Sequence, residues 1–296
     1  MPSLRRTRGD EIFDVLNTTL MMLVLLVVIY PLYFVVIASF SSPEQVNAGR
    51  VWLLPRGITL EGYSRIFQDQ TIWRGYRNTI TYTVLGRVVN MVLTIPETYS
   101  LSRKDFVVIN SLTLLFAFTT FFAGGLIPRY LLVRSLGMVN TIWAMVIPNA
   151  VLVWNVVVAR TFFQHNIPRE LLEAAVMDGC GNSRFFVSIV LPLSRAILAV
   201  MVLFYAVGHW NSFFPALIYL RDAEMYPLQI VLRDILIQAE VQSQMMEDAT
   251  AIEEQQRLGE LIKYGAIIVA SVPVLMLYPF LQKYFVRGIM IGAIKG

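Results

Sequence analysis

The sequence predicts an all-α integral membrane protein: six transmembrane helices with both termini on the cytoplasmic side, and one short helix between the fourth and fifth that is too charged to span. Three observations predict it. The chain of 296 residues is 56% hydrophobic and only 15% charged, where soluble domains carry roughly 25% charge. Its mean hydropathy is +0.62. Six windows reach the roughly 20 apolar residues that a bilayer core of about 30 Å requires.

The first window covers 16–40 (LNTTLMMLVLLVVIYPLYFVVIASF). The basic residues Arg5, Arg6 and Arg8 before it resemble the start of a signal peptide, but a signal core is roughly 7–15 residues long and ends in a small-residue cleavage site. This run is longer and stops at Pro43, so it reads as a span. The others are 76–101, 106–127, 138–163, 186–210 and 261–284, all within one domain, 1–296. Lys and Arg occur at span ends on both sides. Because the outer loops are longer, basic density favours an N-terminus inside.

Several chemistries are excluded. A single cysteine, Cys180, allows no intramolecular disulfide, and His165 and His209 are too few for a Cys/His metal site. No G-x-x-x-x-G-K-[ST] stretch is present to cradle phosphates, so no ATP site is encoded and no cofactor is expected on this chain. No catalytic residues and no metal ligands are assigned. Most basic residues lie in loops or at span ends and give no reason to expect nucleic acid.

The segment 164–185 is the informative exception. Asn166 is a candidate cap and Pro168 suits a first turn; the helix runs over 169–178, and Gly179 and Gly181 can end it in the left-handed conformation. Leu171, Ala174, Ala175 and Asp178 share one side, with Leu172 and Val176 beside them, while Glu170, Glu173 and Met177 share another. Two readings stand, a docking surface and a helix lying on the headgroups; the acidic face argues against the second, which favours Lys and Arg.

Glu173-Ala174-Ala175, three residues, Gly179, nine residues, Ile189, one residue, Leu191-Pro192 resembles the EAA motif of permease subunits in binding-protein-dependent ABC importers. "LSRKDF" (101–106), "GGLIPRYLLVRSLGMVNT" (124–141), "FYAVGHWNSFFPALIYLRD" (204–222), "YPLQIVLRDIL" (226–236) and "YPFLQKYFVRGIMIGAIKG" (278–296) extend the similarity over nearly the whole chain. They are similar to the carbohydrate-uptake branch, the lipoprotein-C-like and maltose G-type permeases.

The resemblance implies that 164–185 is a cytoplasmic coupling loop whose helix sits in a cleft of an ATPase subunit, with Glu173, Ala174, Ala175, Asp178, Gly179, Leu191 and Pro192 as coupling residues. Glu173 is expected to pair with a basic group on the ATPase, and the tail 288–296 to be a second contact. It implies as partners a second homologous permease, two ATPase subunits that bind ATP and Mg, an extracytoplasmic sugar-binding protein and the lipid bilayer, with the chain multi-pass in the bacterial cytoplasmic (inner) membrane.

Substrate residues are sought where flat apolar faces meet fixed hydrogen-bond groups. The fourth span offers Trp143, Asn149, Trp154 and Asn155; the fifth offers Phe204, Tyr205, His209, Trp210 and Asn211. Interfacial aromatic belts give the same composition, above all for Trp210 and Asn211. Charges at membrane depth are costly. Arg87 reads equally as a subunit-interface ion pair or a cavity-lining group, Glu97 can reach cytoplasmic water by snorkelling, and Arg195 lies near the cytoplasmic end.

A net charge of +4 invites an acidic oligosaccharide of the alginate or pectin kind, to which only Arg87 and Arg77 are placed to contribute. The outer loop 221–260 starts as an amphipathic helix and continues as an acidic stretch, 240–254, that is either a solvated insert or a contact for the binding protein. The expected function is oligosaccharide import by alternating access, driven by ATP hydrolysis in the partners. Alternatives are a permease for another solute class or an ATP-independent secondary transporter; the second would show inverted repeats, which are not evident.

Overall fold

A computed structural model describes residues 7–105, 108–122, 124–245, 257, 259–276 and 279, and among them every regular element is helical. In chain order the first helices are α1 (Arg8–Ser39), α2 (Pro43–Asn47), α3 (Glu61–Gln68), α4 (Gln70–Ser102), α5 (Ile109–Phe121), α6 (Leu126–Ser135), α7 (Ile142–Val146), α8 (Val153–Asn166) and α9 (Arg169–Met177). Then come α10 (Asn182–Phe185), a π turn over Phe186–Val190, α11 (Leu191–Leu193), α12 (Arg195–Trp210), α13 (Phe213–Tyr219) and α14 (Leu228–Met245). The last, α15, is Gly259–Met276. The tail 288–296 and the acidic stretch beyond 245 lie outside the described residues.

Two helices, α1 and α15, are long and apolar enough to cross a membrane, or up to four if each of two bent pairs counts as one span. Of the predicted windows, 76–101 falls inside the single helix α4 and 16–40 inside α1 except for its last residue, Phe40, which caps it. The third and fifth are bent instead. Gly124 and Gly125 separate α5 from α6, and the two helices turn by 116°; Gly125 has φ +80°, a conformation that suits glycine. In the fifth, Pro192 removes an amide from the ladder just past the π turn, and the chain bends by 82° at Ser194.

The fourth window, 138–163, differs most from expectation. It is two helices, α7 and α8, separated by a non-helical stretch at 147–152 that contains Pro148, which cannot donate a helical hydrogen bond. Periodicity and apolarity did not distinguish this broken segment from one long helix.

The chain divides into two compact units. One contains residues up to Asp69 and Asp234–Ser271. In it α1 begins with a capping box between Thr7 and Asp10 and leaves nearly all its side chains exposed before Ile37. Near its end the Tyr63 hydroxyl meets Ser39 Oγ at 2.8 Å and the Phe34 and Tyr264 rings meet edge to face at 6.1 Å. Gly62 lies against the Leu261 carbonyl, where a Cβ would come within 2.4 Å of the oxygen, and Gly265 against the end of the Ile66 side chain. Small residues admit this close approach of helices.

The other unit contains Gln70–Arg233 and is organised around α4, which packs mainly on α12 and α8. The buried face of α4 carries Gly75, Thr79, Tyr82, Gly86, Asn90, Thr94 and Thr98 along its middle, with Ile72 before them and Ile95, Tyr99 and Leu101 toward its end. Its exposed side carries Ile80, Val84, Leu85, Val88 and Val92. This is the inside-out distribution of a helix whose polar groups are satisfied by protein while its apolar side chains face outward. At the far end from α9, Asn140, at φ 60°, accepts the amides of Arg221 and Asp222 at 2.9 and 3.0 Å through Oδ1.

Candidate functional site

Two places collect the residues singled out by sequence. The first is α9. Its nine residues start after Pro168, which takes the cap position without a side-chain bond; Asn166, the predicted cap, instead donates its side-chain amide to the Phe162 carbonyl at 3.0 Å and closes α8. The helix ends in a Schellman arrangement. Gly179 N–H donates to Val176 O at 3.0 Å and Cys180 N–H to Ala175 O at 2.8 Å, with Gly179 at φ +72°. Gly181 does not share that conformation: its φ is −72° and it caps α10.

Ala175 is buried in a cluster with Tyr99, Ala159, Phe163, Phe185 and Val190, and Leu172, Cys180 and Leu191 pack against it. Glu170, Leu171, Glu173, Ala174, Val176, Met177, Asp178 and Gly179 are exposed, Met177 at 87%. The helix is thus held by one narrow face and presents the rest outward, apolar groups included. Glu173 pairs with Arg169 of its own helix at 2.9 Å. Pro192 is exposed in α11. A cleft of about 1120 Å³ opens beside α9, lined by Tyr99, Arg103, His165, Arg169, Leu172 and Glu173 among others.

The second place is the gap in the fourth window. Asn90 of α4 donates Nδ2 to the carbonyls of Asn149 and Ala150 at 3.0 and 2.7 Å, and its Oδ1 lies 2.7 Å from His209 Nε2 of α12. Since the Asn90 amide group faces two carbonyls, its oxygen faces the imidazole, and Nε2 is the donor. One turn along, Thr94 Oγ1 and the Tyr205 hydroxyl are 2.7 Å apart, and Leu152 N–H donates to Tyr205 Oη at 3.5 Å. The side chains of α4 and α12 therefore supply partners to backbone groups that a helix would have paired internally.

Of the predicted substrate residues, the structure brings Asn149, Tyr205 and His209 together here, each bonded within the chain. Asn155 is 3% exposed, and its Nδ2 has no partner among the described residues. Trp210 is buried, its ring 6.1 Å from Tyr76. Trp154 is exposed, and Asn211, also exposed, donates to Val207 O at 3.0 Å. Arg87 is half-buried on α4 and makes no ion pair with a described residue.

Sequence reasoning missed Asn90, Thr94 and Gly86. The signal was present: Gly86, Asn90, Thr94 and Thr98 recur every four residues in an otherwise apolar stretch, a polar stripe on one helical face.

The chain is 38% identical over 288 residues to the polygalacturonan/rhamnogalacturonan transport system permease protein YtcP of Bacillus subtilis (strain 168), covering 97% of this chain and 99% of that protein. It is 36% identical over 297 residues to Protein LplC of the same organism, covering 99% and 98%. Among solved structures it is similar to a chain of a bacterial ABC transporter involved in the import of the acidic polysaccharide alginate. That match has a TM-score of 0.83 and 30% identity, and covers 96% of this chain and 100% of the other. No family model matches the sequence. With a relative 38% identical along essentially the whole of both chains, this protein belongs to the permease subunits of sugar-importing ABC transporters.

Proposed function

We propose that this chain forms one half of the membrane pore of a binding-protein-dependent importer for acidic oligosaccharides, of the polyuronate type. The carrying observation is that two separate similarities, to a permease named for polygalacturonan and rhamnogalacturonan and to a transporter named for the acidic polysaccharide alginate, fall on the same class of anionic sugar chain. Arg87, half-buried and without an ion-pair partner among the described residues, supports the reading from this chain's own side. A cation held against a low-dielectric wall favours an anionic ligand more strongly than the same cation in water.

In this reading six spans enclose half of the pathway, with both termini in the cytoplasm and the protein multi-pass in the bacterial cytoplasmic membrane. The third, fourth and fifth spans are bent or broken. A second permease completes the pore, two ATPase subunits bind α9 and its counterpart, and a sugar-loaded binding protein docks outside. ATP binding and hydrolysis favour the outward and inward states in turn, by making different contacts with α9 in each.

Uptake by cells or vesicles carrying the assembled importer tests the substrate. Uronate oligosaccharides are expected to be imported and neutral ones of equal length to be poor substrates, with Arg87→Ala lowering uronate import. Equal import of neutral chains would overturn the substrate class. A neutral oligosaccharide is the second reading, favoured by relatives named for arabinooligosaccharides and maltodextrin, at 24–27% identity.

A further inference from the structure

α4 is fastened at both ends. At the inner end Arg103, just past the helix, donates Nη1 to Asn182 Oδ1 at 2.8 Å and Nε to Asp105 Oδ1 at 2.9 Å, with its side chain only 18% exposed. Asn182 opens α10, directly after the glycine turn that ends α9. One turn back, the Tyr99 ring lies 5.8 Å from Phe163, where the chain leaves α8, and 5.1 Å from Phe186, where it returns toward α12. Both ends of the α9 segment thus bear on the last turn of α4.

At the other end Asn78 donates its side-chain amide to the carbonyls of Glu224 and Tyr226 at 2.7 and 3.1 Å. The Tyr82 hydroxyl donates to Met225 O at 2.7 Å, and Thr79 Oγ1 accepts the Leu228 amide at 2.8 Å. Gly75 closes the joint, a Cβ there being 3.0 Å from Leu228 Cα. α4 as a whole is one helix of 33 residues, about 50 Å at 1.5 Å per residue, and from Asn78 to its last residue it runs for about 36 Å.

We infer that α4 is the strut that joins the α9 segment to the 224–228 loop, and that Arg103 is a positioning residue whose bond to Asn182 passes displacement of α9 into the strut. This rests on α9 being the segment that meets the ATPase. α4 stays helical through its internal Pro96, which removes one ladder hydrogen bond and is a place where a helix can kink, whereas the third, fourth and fifth predicted spans are interrupted. Among the described residues of this unit, α4 combines a path that is helical throughout with a polar joint toward each end. The arrangement gives a two-way link: a partner that shifts 224–228 from outside is felt at α9, and the reverse, as linkage requires.

The test uses the full importer, reconstituted with its ATPase subunits, second permease and binding protein. Two quantities are read: oligosaccharide imported per ATP hydrolysed, and stimulation of hydrolysis by loaded binding protein. Arg103→Gln and Asn182→Ala are each expected to lower import per ATP by about tenfold, within the usual range of coupling between sites, while the ATPase still copurifies. Asn182→Asp keeps the acceptor for Arg103 and is expected to behave as wild type. Asn78→Ala is expected to reduce stimulation severalfold.

Wild-type import per ATP in Arg103→Gln or Asn182→Ala, or unchanged stimulation in Asn78→Ala, would overturn the inference. Asn182 is exposed, so its variant reads the bond even where Arg103→Gln fails to assemble. Failure of the underlying reading looks different: the wild-type chain itself would purify without an ATPase.

Discussion

Asn90 Oδ1 and His209 Nε2 lie 2.7 Å apart in the buried contact between α4 and α12, and this bond engages the oxygen of an amide whose nitrogen already holds two carbonyls. Asn90 is fully buried and its three bonds leave no unused direction but one lone pair. Asn90→Ala strands two carbonyls and an imidazole N–H, each buried group costing roughly 1–3 kcal/mol when left unmade. A loss of about 3 kcal/mol or more is expected, visible as a lower Tm of the detergent-solubilised complex. Asn90→Asp is expected to be worse, since it sets a carboxylate against two carbonyl oxygens.

Gly86 sits against that same histidine, where a Cβ would come within 2.3 Å of Nε2 and 2.4 Å of Cε1. Gly86→Ala must displace His209, and overpacking of this kind costs typically about 1–3 kcal/mol. Gly208, also helical, has nothing within 4 Å of a built Cβ. Gly208→Ala is therefore expected to be neutral or to stabilise by about 0.5–1 kcal/mol. Paired thermal melts of the two variants separate a steric requirement from simple helix propensity.

The two glycines after α9 make a second contrast. Gly179 holds φ +72° in open space, Gly181 has φ −72°, and neither has a heavy atom within 4 Å of a built Cβ. Gly179→Ala is expected to cost about 1–2 kcal/mol from backbone conformation alone and to weaken ATPase binding through a disordered helix end. Gly181→Ala is expected to match wild type in both melting and copurification.

Glu173 and Arg169 are well exposed, so their pair is worth only about 0.3–0.5 kcal/mol. Glu173→Gln should leave Tm unchanged while reducing copurification of the ATPase. Unaltered copurification would remove Glu173 from the docking surface.

Asp105 is held below its ordinary value of 3.8 chiefly by the hydrogen bond from Arg103. A depressed carboxylate contributes stability that is present above the unfolded value and is lost as pH falls through the folded one. The Tm difference between wild type and Asp105→Asn should accordingly be constant from pH 8 to 5 and vanish in stronger acid. A difference that disappeared near neutrality would place another group in control.

Much of this molecule was legible before its structure. The two long helices α1 and α4, the short helix at 169–177 and the glycine that stops it follow from apolar length, charge and left-handed backbone preference, all of which are local. The break at 147–152 was not. A single proline in an apolar run is compatible with a kinked helix as well as a broken one, and the choice was made by Asn90 and Tyr205, distant in sequence. For the same reason Tyr205 and His209 read as free polar groups facing a pathway: their partners lie on α4, and composition does not reveal pairing. Which face of α9 turns inward was legible only in part, since the burial of Ala175 depended on Tyr99 and Phe163.

The open stretch at 147–152 also imposes an order of events. Asn90 is synthesised before it, but the Tyr205 hydroxyl that meets Leu152 comes 53 residues later, a delay of some seconds at roughly 5–20 residues per second. Until then the exposed amide has no partner, and an unpaired backbone group is not tolerated in lipid. In the six-span reading the fourth segment therefore settles only when the fifth has been delivered beside it.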